Sequence, residues 1–317
     1  MGNLLAGKVA IVTGGGRGLG RSHALALAAE GARVLVNDLG GSVAGEGGDV
    51  SPAQSVVAEI RGLGGEAAAN GGNVTSTADG KAMVEQALDT FGRLDILVNN
   101  AGNIRNQLFV KMSEEEWDSV IAVHLRALYT VTKPAAEVFA KQRGGRIVNT
   151  ASEAGLGGYA ASNYAAAKEG IVGFSRTLAL ELGPYGVTCN AIRPRAGTRM
   201  AGAVDMKKAL ELARQGKLPL PDFMFEIEDM AEGSDTFTPE LVSPLVVFLC
   251  TDAAAHVNGR DFIVGGGEIS LVSLPEKHRS VFTAGRWTQE ELQKLLPKRR
   301  EGASCEAHGA QRPRHIK

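Results

Sequence analysis

Tyr164 and Lys168 are the two residues whose types and spacing most clearly allow chemistry. They lie four positions apart in a run, residues 152–168 (SEAGLGGYAASNYAAAK), whose alanines favour a helix. On a helix both side chains lie on one face, and a nearby ammonium lowers the pKa of a phenol from about 10. The tyrosine would then exchange a proton near neutral pH as a general acid or base. Ser152, which precedes it across a glycine-rich loop, is expected to hydrogen-bond the same substrate oxygen.

A glycine-rich turn near the N-terminus supports a catalytic role for Tyr164 and Lys168. Their spacing alone also occurs by chance. Residues 8–13 (KVAIVT) predict a buried parallel strand, and an alanine- and leucine-rich helical pattern follows the turn. In a strand–turn–helix unit, glycines let the backbone approach a pyrophosphate, and the helix N-terminus supplies N–H donors. The sequence therefore predicts a dinucleotide-phosphate site at Gly14, Arg17, Gly18, Leu19 and Gly20. A tight turn that binds no ligand is the alternative.

Asp38 follows the second predicted strand, residues 33–37, and lies about 20 residues after the glycine turn. A carboxylate there accepts hydrogen bonds from the adenosine ribose, and it repels a 2′-phosphate. We therefore expect NAD as the cofactor, with NADP as the less favoured alternative. Arg17 weakly favours NADP, because its charge could pair with the 2′-phosphate. No arginine or lysine closely follows Asp38 to support that pairing.

Strand and helix patterns alternate along most of the chain. Further strands are predicted at 66–69, 94–98, 146–150, 187–192 and 261–264. One long helix is predicted from Ser113, as its N-cap, to about residue 141, and another carries Tyr164 and Lys168 to about residue 182. This alternation predicts an α/β fold: a Rossmann-like, doubly wound, seven-stranded parallel sheet in a three-layer α/β/α arrangement.

One Rossmann domain is expected over residues 5–272, with an extension at 273–317. Within the domain, the alternation of strand and helix patterns is weaker over residues 201–238. This region includes a proline-, methionine- and acid-rich stretch at 218–235, which predicts a lid or substrate loop. In the extension, residues 287–296 predict a small helix. Roughly the last 18 residues, which are basic and polar, are expected to be disordered.

Composition and charge argue against several classes of partner. The 317 residues carry 34 Lys and Arg against 35 Asp and Glu, which does not favour binding to nucleic acid or to an anionic membrane surface. No apolar run reaches about 18 residues and the N-terminus lacks a secretory pattern, so we expect a soluble cytoplasmic protein. The three cysteines are scattered and predict neither a disulfide framework nor a metal site.

The motifs together resemble those of the short-chain dehydrogenase/reductase family over roughly residues 5–272. The resemblance rests on Thr13-Gly14-x3-Gly18-x-Gly20, Asp38, Asn99-Asn100-Ala101-Gly102, Ser152 and Tyr164-x3-Lys168, in the family's order. It implies an oxidoreductase that transfers a hydride between a nicotinamide and a secondary alcohol or ketone. Tyr164 would exchange the proton of the substrate oxygen, Lys168 would lower its pKa and hold the nicotinamide ribose, and Ser152 would polarise that oxygen.

The resemblance also implies further cofactor contacts. The adenine would be bracketed by Asn73 and Val74 and covered by Asn100, Ala101 and Gly102, while Pro194 and Thr198 would contact the carboxamide end. The Asn-Asn-Ala-Gly run has a second interpretation, which is a turn that serves only the fold.

Three positions depart from the family pattern. His124 stands where the family has a catalytic asparagine, and it either relays a proton through water or is a buried structural residue. Ser152 lies one residue closer to Tyr164 than is usual, which a deletion in the loop accommodates. Arg195 replaces the glycine that usually follows the family's proline. Either Arg195 or Arg199 meets a CoA phosphate, or both lie on the surface or in the lid.

Within the family, residues 36–41, 123–126, 189–200 and 245–250 are similar to the (3R)-hydroxyacyl-CoA dehydrogenase part of peroxisomal multifunctional enzyme type 2. They are also similar to its bacterial single-domain relatives, some of which act on the acyl-CoA side chains of sterols. This similarity implies a 3-hydroxyacyl-CoA or steroid-like substrate. A polyol or an acyl-carrier-protein ketone is the alternative within the same chemistry.

Two further implications concern function and assembly. A non-catalytic dinucleotide sensor on the same fold is a rival interpretation, but a sensor does not need the intact Ser152, Tyr164 and Lys168. The alanine-rich helices at 118–141 and 164–182 resemble helices that pair across a two-fold axis in this family. A homodimer or homotetramer is therefore expected.

Overall fold

Eight strands form the central sheet of the computed structural model, within the residues that it describes. These residues are 2–198, 200, 206–218, 220, 223–226, 235–277, 280–283 and 285–295. The strands are β1 (Val9–Thr13), β2 (Arg33–Asn37), β3 (Ala67–Asn70), β4 (Ile96–Asn99), β5 (Gly145–Thr150), β6 (Val187–Pro194), β7 (Asp261–Gly265) and β8 (Glu268–Leu271). Their order across the sheet is β3-β2-β1-β4-β5-β6-β7-β8. The winding reverses between β1 and β4, which opens a crevice at their carboxyl ends.

The first seven strands are parallel, as the sequence predicts, but the sheet has an eighth strand. β8 runs antiparallel to β7, and the turn Gly266-Gly267 joins the paired Gly265 and Glu268. Both turn glycines have positive φ, 58° and 85°, which suits a tight hairpin whose twist matches its strands. The expectation of a seven-stranded, all-parallel sheet is therefore wrong by one strand, because the residues of β8 are mostly exposed and show no buried apolar pattern.

Helices cover both faces of the sheet. In chain order, the α-helices of the described residues are α1 (Gly18–Ala29), α2 (Ser51–Gly62), α3 (Thr77–Phe91), α4 (Glu114–Ile121), α5 (Ala127–Gln142), α6 (Ser162–Leu182), α7 (Met206–Arg214), α8 (Phe223–Glu226) and α9 (Ser243–Cys250), with α10 (Gln289–Leu295) in a separate C-terminal unit. One buried core lies between the sheet and α1, α2 and α9, a second lies between the sheet and α3, α5 and α6, and a smaller third cluster joins α5 and α6 to β6. Val12 belongs to the first core and Ile11 to the second, so neighbouring strand residues alternate between them. The three-layer α/β/α arrangement is confirmed.

The long helix predicted from Ser113 is divided. Ser113 is the N-cap of α4, as predicted, and forms a capping box with Glu116. Residues Ala122–Arg126 then form a π-helical turn before α5 begins. Turns of this kind are frequent at functional sites, and this one carries His124.

Two units divide the chain, Met1–Val272 and Ser273–Lys317. The second contains α10, where the sequence predicts a helix at 287–296. Most of the predicted lid at 218–235 and the whole of the predicted disordered tail lie outside the described residues. None of the described helices is long and apolar enough to cross a membrane.

Candidate active site

A cavity of about 630 Å³ lies at the carboxyl ends of the strands. Its walls come from the segments that follow β1, β2, β4, β5 and β6, as expected for a crevice at the reversal of strand order. Every residue that the sequence predicts for the site lines this cavity: Gly14, Arg17, Gly18, Leu19, Gly20, Asp38, Asn73, Val74, Asn100, Ala101, Gly102, His124, Ser152, Tyr164, Lys168, Pro194 and Thr198. Folding therefore gathers side chains that are far apart along the chain.

Close contacts in the glycine turn exclude side chains. Gly14 has a φ of 62°, and a Cβ atom on it would lie 2.8 Å from the Cα atom of Ala101. A Cβ atom on Gly20 would lie 2.0 Å from the backbone oxygen of Gly14. α1 begins at Gly18, and Arg17 caps it without a side-chain hydrogen bond, so its first N–H groups are available to an anion. The turn is a cradle that fits a pyrophosphate.

Asn100 ties the turn after β4 to the glycine turn. Its side-chain amide donates to the backbone oxygens of Thr13 and Gly14, at 3.0 and 3.1 Å. The backbone N–H groups of Asn100 and Ala101 donate to Oγ1 of Thr13, at 3.0 and 3.1 Å. The side chain of Asn100 thus serves the fold, as the second interpretation of the Asn-Asn-Ala-Gly run holds, although the run also lines the cavity.

Two backbone N–H groups fix the carboxylate of Asp38 at the end of β2. Oδ2 accepts from Gly16 at 2.8 Å, and Oδ1 accepts from Gly40 at 2.7 Å. The carboxylate therefore stands between the glycine turn and the loop after β2. Its negative charge opposes a phosphate at that position in the cavity.

The loop that follows β2 also lines the cavity, although no motif in the sequence points to it. Arg105 donates from Nε to the backbone oxygen of Ala44 at 3.0 Å and pairs with Glu46 at 2.9 Å. The N–H of Ile104 donates to the backbone oxygen of Val43 at 3.0 Å. These contacts hold the loop against the segment after β4. Its unusual length was the one signal in the sequence, since long loops are often functional.

Ser152, Tyr164 and Lys168 meet in the cavity. The Ser152 hydroxyl lies close enough to the Tyr164 phenol to lower its pKa, and the Nζ atom of Lys168 lies 5.2 Å from the centre of the Tyr164 ring. The ammonium also donates to the backbone oxygen of Thr150 at 2.6 Å. α6 supplies the tyrosine and the lysine from one face, as their spacing predicts, and the segment after β5 supplies the serine.

Burial controls the protonation of the tyrosine and the lysine. It raises the pKa of Tyr164 to about 12, and the hydrogen bond with Ser152 opposes this change. It lowers the pKa of Lys168 to about 7. The expectation that the lysine brings the pKa of Tyr164 towards neutrality is therefore wrong, because desolvation disfavours both charged forms. Near neutral pH the tyrosine is a neutral phenol, which is the form that donates a proton.

His124 is buried beside the tyrosine. Its ring meets that of Tyr164 edge-on, with the ring centres 5.1 Å apart. Its Nε2 lies 2.7 Å from the backbone oxygen of Asn103 and 3.2 Å from the backbone nitrogen. The shorter contact requires Nε2 to donate, which leaves Nδ1 as an acceptor. Burial, followed by the charge of Lys168, lowers the pKa of His124 well below its usual value, so the ring is neutral.

Arg195 does not lie on the surface. It is buried, and two of its nitrogens bind the carboxylate of Glu153 at 2.7 and 2.8 Å. The expectation of a surface position is wrong, because a buried carboxylate next to Ser152 neutralises the guanidinium within the fold. Arg199 lies outside the described residues.

Buried polar atoms without hydrogen-bond partners within the described ranges also indicate that the cavity binds a polar ligand such as a dinucleotide. Four buried polar atoms on its walls have no hydrogen-bond partner among the described residues: Asn103 Oδ1, Asn106 Oδ1, His124 Nδ1 and Thr150 Oγ1. Buried polar groups are rarely left without partners, so these atoms point to a polar ligand. In the described part of the chain, no group of three or more His, Cys, Asp or Glu side chains can hold a metal ion.

A family model described as short chain dehydrogenase matches residues 8–209, which is more than half of the chain. The chain belongs to the short-chain dehydrogenase family. A solved short chain dehydrogenase from Mycobacterium avium is 41% identical, and the match covers 92% of this chain and 94% of that one with a TM-score of 0.76. The fold that the strand and helix patterns predict is therefore confirmed.

Two relatives of this short-chain dehydrogenase have more specific names. Hydroxyacyl-CoA dehydrogenase ChsB1 of Mycobacterium tuberculosis is 39% identical over 305 residues, which cover 92% of this chain and 88% of that protein. Peroxisomal multifunctional enzyme type 2 of Mus musculus is 42% identical over 264 residues, which cover 83% of this chain. The matched part is only 32% of the mouse enzyme, so the chain corresponds to a fraction of that protein. The resemblance to this subgroup is confirmed.

Proposed function

We propose that this short-chain dehydrogenase uses NAD to interconvert a secondary alcohol and a ketone. The observation that carries the proposal is the convergence of Ser152, Tyr164 and Lys168 in the cavity that also contains the glycine turn and Asp38. A cradle for a dinucleotide and a buried proton donor thus share one cavity. Hydride transfer to a carbonyl requires this combination, because the carbon receives a hydride while the oxygen receives a proton.

In the proposed mechanism Tyr164 donates a proton to the carbonyl oxygen, and in the reverse direction it takes the proton from the alcohol. Ser152, whose hydroxyl lies beside the phenol, would donate its single proton in a second hydrogen bond to the same substrate oxygen. The nicotinamide, when bound, supplies or accepts the hydride at the substrate carbon. Lys168 stabilises the phenolate that proton donation leaves, and it holds the nicotinamide ribose.

His124 is proposed to continue the proton path. Its neutral ring lies against Tyr164, and its Nδ1 atom is a buried acceptor on the cavity wall. A water held by Nδ1 would connect the site to the lysine, whose charge acts on His124. A structural role for the ring is the alternative. The variant His124→Asn, which restores the family's usual residue, would keep activity in the first case if the asparagine holds the same water.

The preference for NAD rests on Asp38. Both of its oxygens are held by backbone N–H groups, so the carboxylate cannot turn away from a 2′-phosphate. Asn73, Val74, Asn100, Ala101 and Gly102 are proposed to surround the adenine, and Pro194 and Thr198 to contact the carboxamide.

The proposed substrate is a 3-hydroxyacyl-CoA or a steroid-like molecule. The names of the mycobacterial and mouse relatives support the first class, and the apolar side chains of Ile104, Met200 and Met224 on the cavity wall suit a hydrocarbon. NADH oxidation measured with 3-oxoacyl-CoA thioesters, ketosteroids, polyol-derived ketones and acyl-carrier-protein ketones tests the proposal. Turnover restricted to the last two classes would contradict the substrate assignment. NADH binding without any turnover, unchanged by Tyr164→Phe, would favour a sensor.

Self-association as a homodimer or homotetramer is also proposed. Large apolar side chains are exposed on both helices named for this role, including Tyr129 on α5 and Leu180 on α6. Light scattering of the purified protein measures its mass in solution. A monomer at micromolar concentration would contradict the proposal.

A further inference from the structure

Two arginines lie beneath the segment that carries the serine. β5 and β6 are parallel neighbours with Thr150 opposite Ile192, so the residues that follow β5 lie beside the end of β6. Arg193 and Arg195 are two positions apart on the extended chain and point to the same side. They are 1% and 6% exposed, and charged residues are almost never buried so deeply unless they are paired.

Arg193 holds the backbone of the serine. Its Nη1 donates to the backbone oxygen of Ser152 at 2.7 Å. Its other nitrogens bind the carboxylates of Asp261 and Glu169, each at 2.8 Å. Glu169 follows Lys168 on α6, so one guanidinium connects the serine segment, the helix with the proposed proton donor, and β7.

Arg195 holds the next residue along the chain. Its Nε and Nη2 donate to the two carboxylate oxygens of Glu153, at 2.7 and 2.8 Å, and its Nη1 donates to Glu268 at 2.9 Å. A bidentate pair of this kind fixes direction as well as distance. The side chain therefore fastens the serine segment to β8, the strand that the sequence does not reveal.

These contacts act on both sides of one peptide unit. The backbone oxygen of Ser152 accepts a hydrogen bond from Arg193, and the side chain of Glu153 accepts from Arg195. Ser152 therefore cannot rotate without breaking one of these hydrogen bonds. We propose that Arg193 and Arg195 are positioning residues that aim the Ser152 hydroxyl at Tyr164 and at the substrate oxygen. The inference rests on the proposed dehydrogenase function and assigns neither arginine a contact with the reacting atoms.

Stability alone is a weak explanation for these pairs. Burying two charges costs free energy that their attraction often fails to recover, and apolar residues in such places are commonly as stabilising. Arginine supplies geometry instead, because its planar fork fixes a carboxylate in a way that lysine does not. The surroundings are fitted to the fork: a Cβ atom on Gly155 would lie 3.1 Å from Nη1 of Arg193.

The Arg195–Glu153 pair allows a test that separates positioning from folding. Arg195→Met removes the fork but leaves a buried, unpaired carboxylate, so both stability and kcat are expected to fall. The double variant Arg195→Met/Glu153→Gln removes that charge as well. The matched control is Arg93→Met, which breaks a bidentate pair with Asp95 at the amino end of β4, away from the cavity.

Four quantities are measured: kcat, KM for NADH, the thermal midpoint, and amide hydrogen exchange of residues 152–157. Arg195→Met is expected to lower kcat by about 10- to 100-fold, the range of a small misplacement of a catalytic group, without changing KM for NADH. Exchange at 152–157 should become faster. In the double variant the thermal midpoint should return towards that of the wild type while kcat stays low. Arg93→Met should lower the midpoint and leave kcat and this exchange unchanged.

Recovery of kcat together with the midpoint in the double variant would overturn the inference, since the pair would then serve stability alone. If Arg195→Met does not fold, Arg195→Lys and Arg193→Lys retain the charge and lose the fork, and wild-type kcat in both would also overturn it. The two proposals fail separately. A wild-type protein that reduces no ketone contradicts the dehydrogenase function, whereas unchanged hydrogen exchange in the arginine variants contradicts the positioning role without any substrate.

Discussion

The ammonium group of Lys168 lies 5.2 Å from the centre of the Tyr164 ring. The two side chains are one turn apart on α6, and burial moves the pKa of each towards its uncharged form. A proton that leaves the phenol therefore departs beside an amine that titrates near neutral pH. The charge of a protonated lysine stabilises the phenolate as it forms. This effect is absent while the phenol is neutral.

Removing the phenol hydroxyl should remove most of the activity. Tyr164→Phe is expected to lower kcat by about 10²- to 10⁴-fold, the usual contribution of a general acid. Binding of NADH should be unchanged, because phenylalanine retains the ring packing against His124. Steady-state kinetics and a fluorescence titration with NADH measure the two effects. Tyr185→Phe, at an exposed position away from the cavity, is the control, and turnover by Tyr164→Phe that equals the turnover of this control would contradict the assignment.

The buried amine of Lys168 should make stability depend on pH. Its pKa is about 7 in the folded protein, below the 10.5 of an exposed lysine, so the unfolded chain binds more protons between these values. The free energy of unfolding consequently rises with pH in this window. Below pH 7 the amine is charged in the folded protein, so the full cost of burying its charge is present. The free energy of unfolding of Lys168→Met, relative to the wild type, should therefore be about 3 kcal/mol larger at pH 6 than at pH 9.

Denaturant unfolding at the two pH values measures this difference. The titratable groups that face the amine are His124, whose pKa lies well below its usual value, and Tyr164, whose pKa is about 12. Neither changes charge in the folded protein between pH 6 and pH 9. An equal effect of the substitution at both pH values would mean that the lysine titrates outside this window.

The parts of the site that could be predicted from the sequence depend on near neighbours. The glycine turn occupies one connection, and Tyr164 and Lys168 share one helical face, so spacing alone indicates their geometry. The alternation of strands and helices predicts a doubly wound parallel sheet, and the carboxyl edge of such a sheet brings these motifs together.

The parts that could not be predicted depend on burial and distant partners. Arg193 has the residue type of a surface position, but its carboxylate partners lie 24 and 68 positions away. The direction of the pKa change at Tyr164 depends on desolvation, which spacing does not indicate. Similarly, the π-helical turn at His124 continues an ordinary helical pattern, so the sequence shows no break there.

Charge removal at Asp38 should relax the choice of cofactor. Asp38→Asn keeps an oxygen that can accept from one of the two backbone N–H groups, whereas Asp38→Ala loses both contacts. Without the carboxylate, a 2′-phosphate is no longer repelled, so discrimination against NADPH should fall by about 1 kcal/mol or more, roughly fivefold at least. The ratio of kcat/KM for NADH to that for NADPH measures this. Unchanged discrimination in both variants would mean that another group distinguishes the cofactors.

A methyl group in the glycine turn should weaken dinucleotide binding. On Gly20 it would lie 2.0 Å from the backbone oxygen of Gly14, so the turn must open and the N–H groups at the start of α1 lose their alignment. We expect Gly20→Ala to weaken NADH binding by about 1–2 kcal/mol, roughly tenfold. Gly62→Ala is the matched control, because a Cβ atom there meets nothing within 4 Å. It should leave binding unchanged and stabilise α2 by up to about 1 kcal/mol. Wild-type NADH affinity in Gly20→Ala would exclude this turn as the pyrophosphate site, and with it the dinucleotide interpretation of the cavity.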